Sequence, residues 1–401
     1  METIKLNNIA ELETPCFILD SNEFERSING FKLALNKYFS SNIIGYSVKT
    51  NSLPYCLCLA RQLGCYAEVV SHDEYELALL CGFSKNNIIY NGPMKSKETF
   101  VDAIKNGAIV NIETKREIEW LKELPSDKEY NIGIRVNVNI SKISPLDAIN
   151  DNDYGRFGFS DETFDLMNAI EKIKQLDNVT ITGLHLHRSP STRSVVFYQN
   201  LINYAAKIIS KYNLNLDYLD IGGGYFGIFR DKPTYEDYCK AIMFTLSQYS
   251  LNKLKIIVEP GMALIGSSFS FATKVIDTKE ISNNFYIQTT DGSRNDIDPL
   301  FKKSDYIKEL IYINKLPNIA KEQVITGCSC IEFDKIFSIT NEHLLSVGDI
   351  IIYKNVGAYT MCLSPLFIRY FPNIYLYKND EYSLIRDRWT AKEYIQKSKL
   401  L

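Results

Sequence analysis

In Ile43-Ile44-Gly45-Tyr46-Ser47-Val48-Lys49-Thr50-Asn51 an apolar, β-prone run ends at a lysine. Such a run reads as a strand buried on both faces, as strands of parallel sheets are. Lys49 closes it, so the strand delivers an amine into a cavity. A lysine at a strand end is more often a solvated edge charge, and the rest of the chain decides between the two readings. Three later segments also end apolar runs on chemically useful residues: Ile181-Thr182-Gly183-Leu184-His185-Leu186-His187, Leu219-Asp220-Ile221-Gly222-Gly223-Gly224 and Ile256-Ile257-Val258-Glu259-Pro260-Gly261. The four endings point to a common face.

Working outward, short β-prone runs at 43–49, 66–70, 88–90, 108–112, 131–137, 181–187, 217–221 and 255–259 alternate with segments of helical period. That alternation is the pattern of βα units around a parallel sheet. Ser71 before Glu74 and Thr114 before Glu117 fit capping boxes that start helices, and Gly82 and Gly107 fall where helices stop. Eight such units over this length predict an α/β fold, a (β/α)₈ TIM barrel with its site at the strand C-terminal ends. Lys49, His187, the triple glycine and Glu259 all fall there.

After Ser267 the runs stay strand-like without long helices, as in 269–275, 285–289 and 349–353. The expected organisation is a barrel over 23–266 and a second, mainly β domain from 1–22 plus 267–401. The segment Thr14 to Asp20 is expected to pair with the second domain's sheet.

The 401 residues, 45% of them hydrophobic, suffice for a large core, and the length favours two domains. A net charge of −3 and a pI near 6.0 offer no footprint for nucleic acid or an anionic membrane surface. The first residues lack a secretory pattern and no apolar run reaches spanning length, so a cytoplasmic protein is expected. Nine cysteines without a C-x-x-C pair read as free thiols in a reducing compartment, not as a metal site, and no metal is expected.

Three consecutive glycines after the seventh strand let backbone N–H groups approach an anion, and barrels often bind phosphate in the loops after strands seven and eight. Pyridoxal phosphate needs a lysine for its aldehyde, a phosphate cup, and an acid that keeps its pyridine nitrogen protonated. Lys49, Gly222-Gly223-Gly224 and Glu259 supply all three.

At these residues the chain resembles the fold type III pyridoxal-phosphate decarboxylases, the group of ornithine and diaminopimelate decarboxylases. The resemblance covers nearly the whole chain. It rests on Tyr46-Ser47-Val48-Lys49, His185-Leu186-His187, Gly222-Gly223-Gly224, Glu259-Pro260-Gly261, the segment from Gly327 through Cys330 to Asp334, and Gly357-Ala358-Tyr359-Thr360. It implies that Lys49 is the Schiff-base lysine, that His187 stacks on the cofactor ring, and that Glu259 partners the pyridine nitrogen. It further implies that Gly222, Gly223, Gly224, Gly261 and Tyr359 help to bind the cofactor and that Arg135 lies near it, a structural ion pair being an equal explanation for Arg135. Cys330 resembles the cysteine that returns a proton to the substrate carbon, reaching the site from the other subunit of a homodimer. Asp334 resembles an acid paired across that interface with a basic residue, here Arg156.

Where family members carry arginine after Glu-Pro-Gly, this chain has Met262. The usual serine three places after the stacking histidine is Pro190, with Ser189 and Ser191 as neighbours. The acid after the cysteine is Ile331. An Arg-Pro of diaminopimelate decarboxylases falls where this chain reads Asp298-Pro299. The resemblance thus implies a decarboxylase of an amino acid or amino-acid derivative, with an amine-bearing substrate near Asp291 and Glu332 and meso-diaminopimelate disfavoured. An amino-acid racemase on the same fold and a non-catalytic regulatory homologue are the alternatives.

Overall fold

The eight apolar runs are eight parallel strands in the computed structural model, which describes residues 5–6, 8–227, 229, 231–313 and 318–399. They are Asn42–Ser47, Tyr66–Ser71, Ile88–Met94, Ile109–Ile112, Tyr130–Asn137, Val179–His185, Tyr218–Asp220 and Lys255–Val258. Each pairs with the next, and Val258 of the eighth lies opposite Ile44 of the first, so the sheet closes into a barrel. Closure leaves no edge strand and buries both faces, which is why the runs are predominantly apolar.

Helices cover the barrel between its strands. His72–Leu80 starts at Ser71, whose hydroxyl accepts from the Glu74 amide, while Glu74 returns its carboxylate to the amide of Val70. Lys115–Leu121 starts at Thr114, with Glu117 accepting from the amides of Glu113 and Thr114. Gly82 and Gly107 follow the helix ends at positive φ, where the next amide bonds back five residues, Phe83 to Ala78 and Ala108 to Ala103. Inside the barrel, Ile43, Ile89, Tyr218 and Ile257 form one apolar cluster. The Tyr218 ring crosses the sixth strand so closely that a Cβ on Gly183 would come within 1.9 Å of it.

The strand ends differ in detail from the sequence reading. The first strand stops at Ser47, where its pairing with Glu68 of the second strand runs out, and Lys49 sits in a single 3₁₀ turn, Val48–Thr50. His187 lies two residues beyond the sixth strand.

The chain divides into two units, 26–264 and 1–25 together with 265–401. In the second unit, Cys16–Asp20 lies antiparallel to Phe269–Ser282, with Phe17 opposite Phe271, and parallel to Asn373–Lys378. The sheet continues through Phe285–Thr290, Ile319–Thr326 and Lys335–His343. Cys16, Ile18, Ala272, Ile350, Ile352 and Tyr375 form an apolar cluster in this unit. All nine cysteines are free thiols. Among the described residues no helix is long and apolar enough to cross a membrane.

Candidate active site

The 3₁₀ turn after the first strand aims Lys49 back at the barrel mouth. Its Nζ donates to Ser47 Oγ at 2.8 Å and to Glu68 Oε2 at 2.5 Å. The Lys49 side chain is 34% exposed and that of Glu68 only 1%. The amine therefore faces the opening while its counter-charge is fixed below it.

Polar residues within the apolar strands carry this pairing across the barrel. Asn91 Nδ2 donates both to Glu68 Oε1 at 3.2 Å and to Glu259 Oε1 at 2.5 Å. Asn111 Nδ2 donates to Asn91 Oδ1 at 2.8 Å, and the Tyr218 hydroxyl donates to Asn111 Oδ1 at 3.0 Å. A continuous hydrogen-bonded chain thus runs from Lys49 through Glu68 and Asn91 to Glu259. Buried polar atoms arranged this way hold one geometry, because each displaced member would leave another unsatisfied.

Glu259 shares its pocket with Asp220 and His185, all three buried. Burial, and then the neighbouring Glu259 carboxyl, pushes the Asp220 carboxyl well above the usual range. Burial also drives the His185 imidazole well below its ordinary value, with the Arg135 charge adding to the effect. The same two causes bring His187 down to about 3, so its ring is neutral at any ordinary pH. The rings of His185 and His187 lie nearly parallel, with centroids 6.4 Å apart.

The triple glycine wraps beneath His187. The Gly222 amide donates to Asp220 Oδ1 at 3.0 Å, and the Gly223 amide donates to His187 Nδ1 at 3.1 Å. A Cβ on Gly222 would strike the imidazole at 2.3 Å, and one on Gly223 would strike the Glu259 carbonyl at the same distance. The Tyr198 hydroxyl donates to the Gly223 carbonyl at 3.0 Å. Gly261 packs against Thr50, whose Oγ1 would lie 2.1 Å from an added Cβ.

Lys49, Glu68, Asn91, His185, His187 and Glu259 line a cavity of about 490 Å³ with Val70, Met94 and Phe157 as apolar walls and Arg135, Arg156 and Arg188 as cations. Arg135 is ion-paired to buried Glu113 at 2.5 Å, and its guanidinium lies 4.9 Å from the Phe157 ring centre. Arg188 is ion-paired to Asp153. Arg156 stacks on the Phe157 ring at 4.7 Å.

Lys49, Arg135, His187 and Glu259 are thus brought to one cavity, with Gly222 to Gly224 packed against its members and Gly261 against Thr50, the neighbour of Lys49. The remaining sequence candidates lie in the other unit. Cys330 is exposed in the turn after Ile319–Thr326, and Glu332 is exposed near it. Tyr359 has φ +56, a left-handed conformation that is costly for a bulky side chain and marks a position fixed by its surroundings. Asp291 is occupied at both oxygens, accepting from Thr14 Oγ1 at 2.7 Å and from the Lys274 amide at 2.8 Å. Asp334 is buried and accepts from Ser293, Arg294 and Ser329 of its own unit.

The sequence reading missed Glu68, Asn91, Asn111, Asp220 and Arg188. Each of the first four is a polar residue inside an apolar barrel strand, and that was the available signal, because such a strand has no solvated face to receive it.

The sequence profile of the family described as "Pyridoxal-dependent decarboxylase, pyridoxal binding domain" matches residues 22–266. A probable chloroplastic diaminopimelate decarboxylase of Oryza sativa subsp. japonica is 30% identical over 70% of this chain, the match spanning 58% of the rice protein. The L-glutamyl-(BtrI acyl-carrier protein) decarboxylase of Niallia circulans is 23% identical over 96% of this chain and 93% of its own. The crystal structure of diaminopimelate decarboxylase from M. jannaschii in complex with L-lysine superposes with a TM-score of 0.82 at 22% identity, covering 97% of this chain and 92% of that one, and shows the same fold.

Proposed function

Since the chain belongs to the pyridoxal-dependent decarboxylase family, we propose that it is a carboxy-lyase that removes the α-carboxylate of an amino acid or amino-acid derivative. The observation that carries the reading is the hydrogen-bonded chain from Lys49 to Glu259, which holds an accessible amine and a buried carboxyl at its two ends.

That donor set fits pyridoxal phosphate. Lys49 holds the aldehyde carbon, Glu259 holds a proton on the pyridine nitrogen, and His187 offers a flat, uncharged ring to stack on. A protonated imidazole there would oppose the pyridinium; the neutral form does not. When bound, the cofactor supplies the electron sink for the pair released as carbon dioxide leaves. Lys49 would carry the cofactor between turnovers, with Glu68 and Ser47 keeping its Nζ oriented. Gly224 contributes to phosphate binding. Cys330, contributed by the partner copy in a homodimer, returns the proton to the carbon.

The substrate we favour bears an amine and is not meso-diaminopimelate. Asp298, where an arginine would receive a distal carboxylate, is buried and already accepts from Arg294, Tyr306 and the amides of Lys302 and Lys303. With an acid at Asp298 and the uncharged Met262 after Glu-Pro-Gly, a substrate's second carboxylate lacks its partners, and an unpaired buried ion is strongly penalised. The N. circulans enzyme's name places an amino acid on an acyl-carrier protein, so carrier-linked substrates belong in the test. Cytoplasmic placement accords with the free thiols.

Carbon dioxide release should be measured across ornithine, lysine, meso-diaminopimelate, glutamate and carrier-linked aminoacyl groups. Release from an amine-bearing or carrier-linked substrate with little from meso-diaminopimelate is expected. Efficient turnover of meso-diaminopimelate would overturn the specificity, and a racemised substrate without carbon dioxide would replace the reaction with racemisation.

A further inference from the structure

Asp220, Glu259 and His185 bring side-chain atoms within 4.8 Å of one another at the ends of the sixth, seventh and eighth strands, and all three are buried. The Asp220 and Glu259 carboxyls are in hydrogen-bond contact, which two carboxylates cannot make without a proton between them. Lys49 pairs with Glu68, Arg135 with Glu113 and Arg188 with Asp153, so these cations are spent elsewhere. Glu68, joined to Glu259 through Asn91, adds further negative charge. Two acids this close in a dry site keep one proton between them, because desolvation and mutual repulsion both oppose the second charge.

The surroundings decide which group carries that proton. His185 does not: both its ring nitrogens are buried without a hydrogen-bond partner among the described residues, and burial keeps the imidazole neutral. The Tyr218 hydroxyl is spent on Asn111. Glu259 lines the cavity and receives a close donor, Asn91 at 2.5 Å. Asp220 is 0% exposed and lies behind it, with the Gly222 amide at Oδ1 but only a long 3.4 Å approach from Asn111 at Oδ2. Hydrogen bonds favour a charged carboxylate and burial disfavours it, so Glu259 is the anion and Asp220 the acid.

We propose that Asp220 is a positioning residue that stays a neutral acid and donates its proton to the Glu259 carboxylate. The inference rests on the cofactor assignment above only for what Glu259 faces, the ring nitrogen. Held by Asn91 and by Asp220, Glu259 keeps both its charge and one orientation. Without the Asp220 donor the Glu259 carboxylate becomes more basic and competes with the ring for the proton, which weakens the electron sink. Asp220 thus acts on the reaction through Glu259 and not by touching the substrate.

The full-length protein, stripped of cofactor, tests the proton itself. At about pH 8, above the values of about 7 and about 6 to which burial raises Glu74 and Asp296, the infrared difference between parent and Asp220→Asn should show one protonated-carboxyl band lost. A difference without that band would overturn the proposal. In the loaded protein, ¹⁵N NMR of ring-labelled pyridoxal phosphate reads the protonation of the ring. Asp220→Asn keeps an N–H donor for Glu259 and should match the parent in this signal. Asp220→Leu should move the signal toward the unprotonated ring and weaken cofactor binding about tenfold, the low end for one hydrogen bond to a charged group. A parent-like ring signal in Asp220→Leu, or an altered one in Asp220→Asn, would overturn the positioning role. Should the leucine variant not fold, the asparagine comparison and the infrared band decide it. Tight zinc binding by the cofactor-free parent, abolished in Asp220→Asn, would overturn the proposal by showing that a cation neutralises the cluster. Failure of the parent to bind pyridoxal phosphate would overturn the cofactor assignment and the role toward the ring, while the infrared result still decides whether Asp220 holds the proton.

Discussion

The carboxylate of Glu68 lies 2.5 Å from the Lys49 amine and, through Asn91, shares a hydrogen-bond donor with Glu259. A single amide side chain thereby couples the two ends of the site. Among the described residues Lys49 is the only lysine that lines this cavity. Borohydride reduction of the loaded protein followed by peptide mapping should place the pyridoxyl label on Lys49, and Lys49→Ala should lose both label and visible band. A label on any other lysine would refute the assignment.

Asn91→Ala tests the coupling itself. It leaves two buried carboxylates each short of a donor, so stability should fall by about 1 to 3 kcal/mol, the usual penalty for a buried polar group left unpaired. Urea unfolding of the cofactor-free protein measures this. A loss below about 0.5 kcal/mol would show that the chain is incidental.

Asp220 gives a pH signature with a definite sign. Its folded carboxyl is raised above the ordinary value of 3.8, so the folded state keeps a proton that the unfolded state gives up. Stability from this group is therefore full below about pH 3.8 and declines as pH rises above it. Asp220→Asn cannot titrate, and its stability relative to the parent should rise between pH 4 and pH 7. Denaturant midpoints at several pH values decide this, and a flat difference would show that Asp220 is ionised in the fold.

Cys330→Ala should retain cofactor binding while turnover falls by about 10² to 10⁴-fold, the usual contribution of a general acid. Cofactor absorbance and carbon dioxide release measured on one preparation separate the two effects. A parent-like rate with the same product would exclude the role.

Asp298 carries a structural expectation. Replacing it with alanine removes an acceptor shared by Arg294, Tyr306 and two amides and leaves Arg294 short of its partner. A destabilisation of about 2 to 4 kcal/mol is expected from a broken, largely buried ion pair with satisfied hydrogen bonds. Thermal or urea unfolding checks it, and an unchanged midpoint would leave the position available for other roles.

The sequence by itself determined the barrel, because strands buried on both faces are mostly apolar along their length and the eight runs, alternating with helical segments, announce themselves by that. Lys49, His187, the triple glycine and Glu259 were legible for a related reason: chemistry-bearing side chains at the ends of such runs fall on one rim of a parallel barrel. What only the tertiary structure decided was which residues meet. Glu68 and Asn91 face Glu259 because the closing pairing of the eighth strand with the first brings distant segments together, a contact that strand periodicity does not encode. It also decided that the Gly222 and Gly223 amides are spent within the protein, that Ser189 and not Ser191 lines the cavity, and that Asp334 is satisfied by donors of its own unit. Periodicity fixes which face a side chain takes; the partner across that face depends on closure, register and the turn each strand makes at its end.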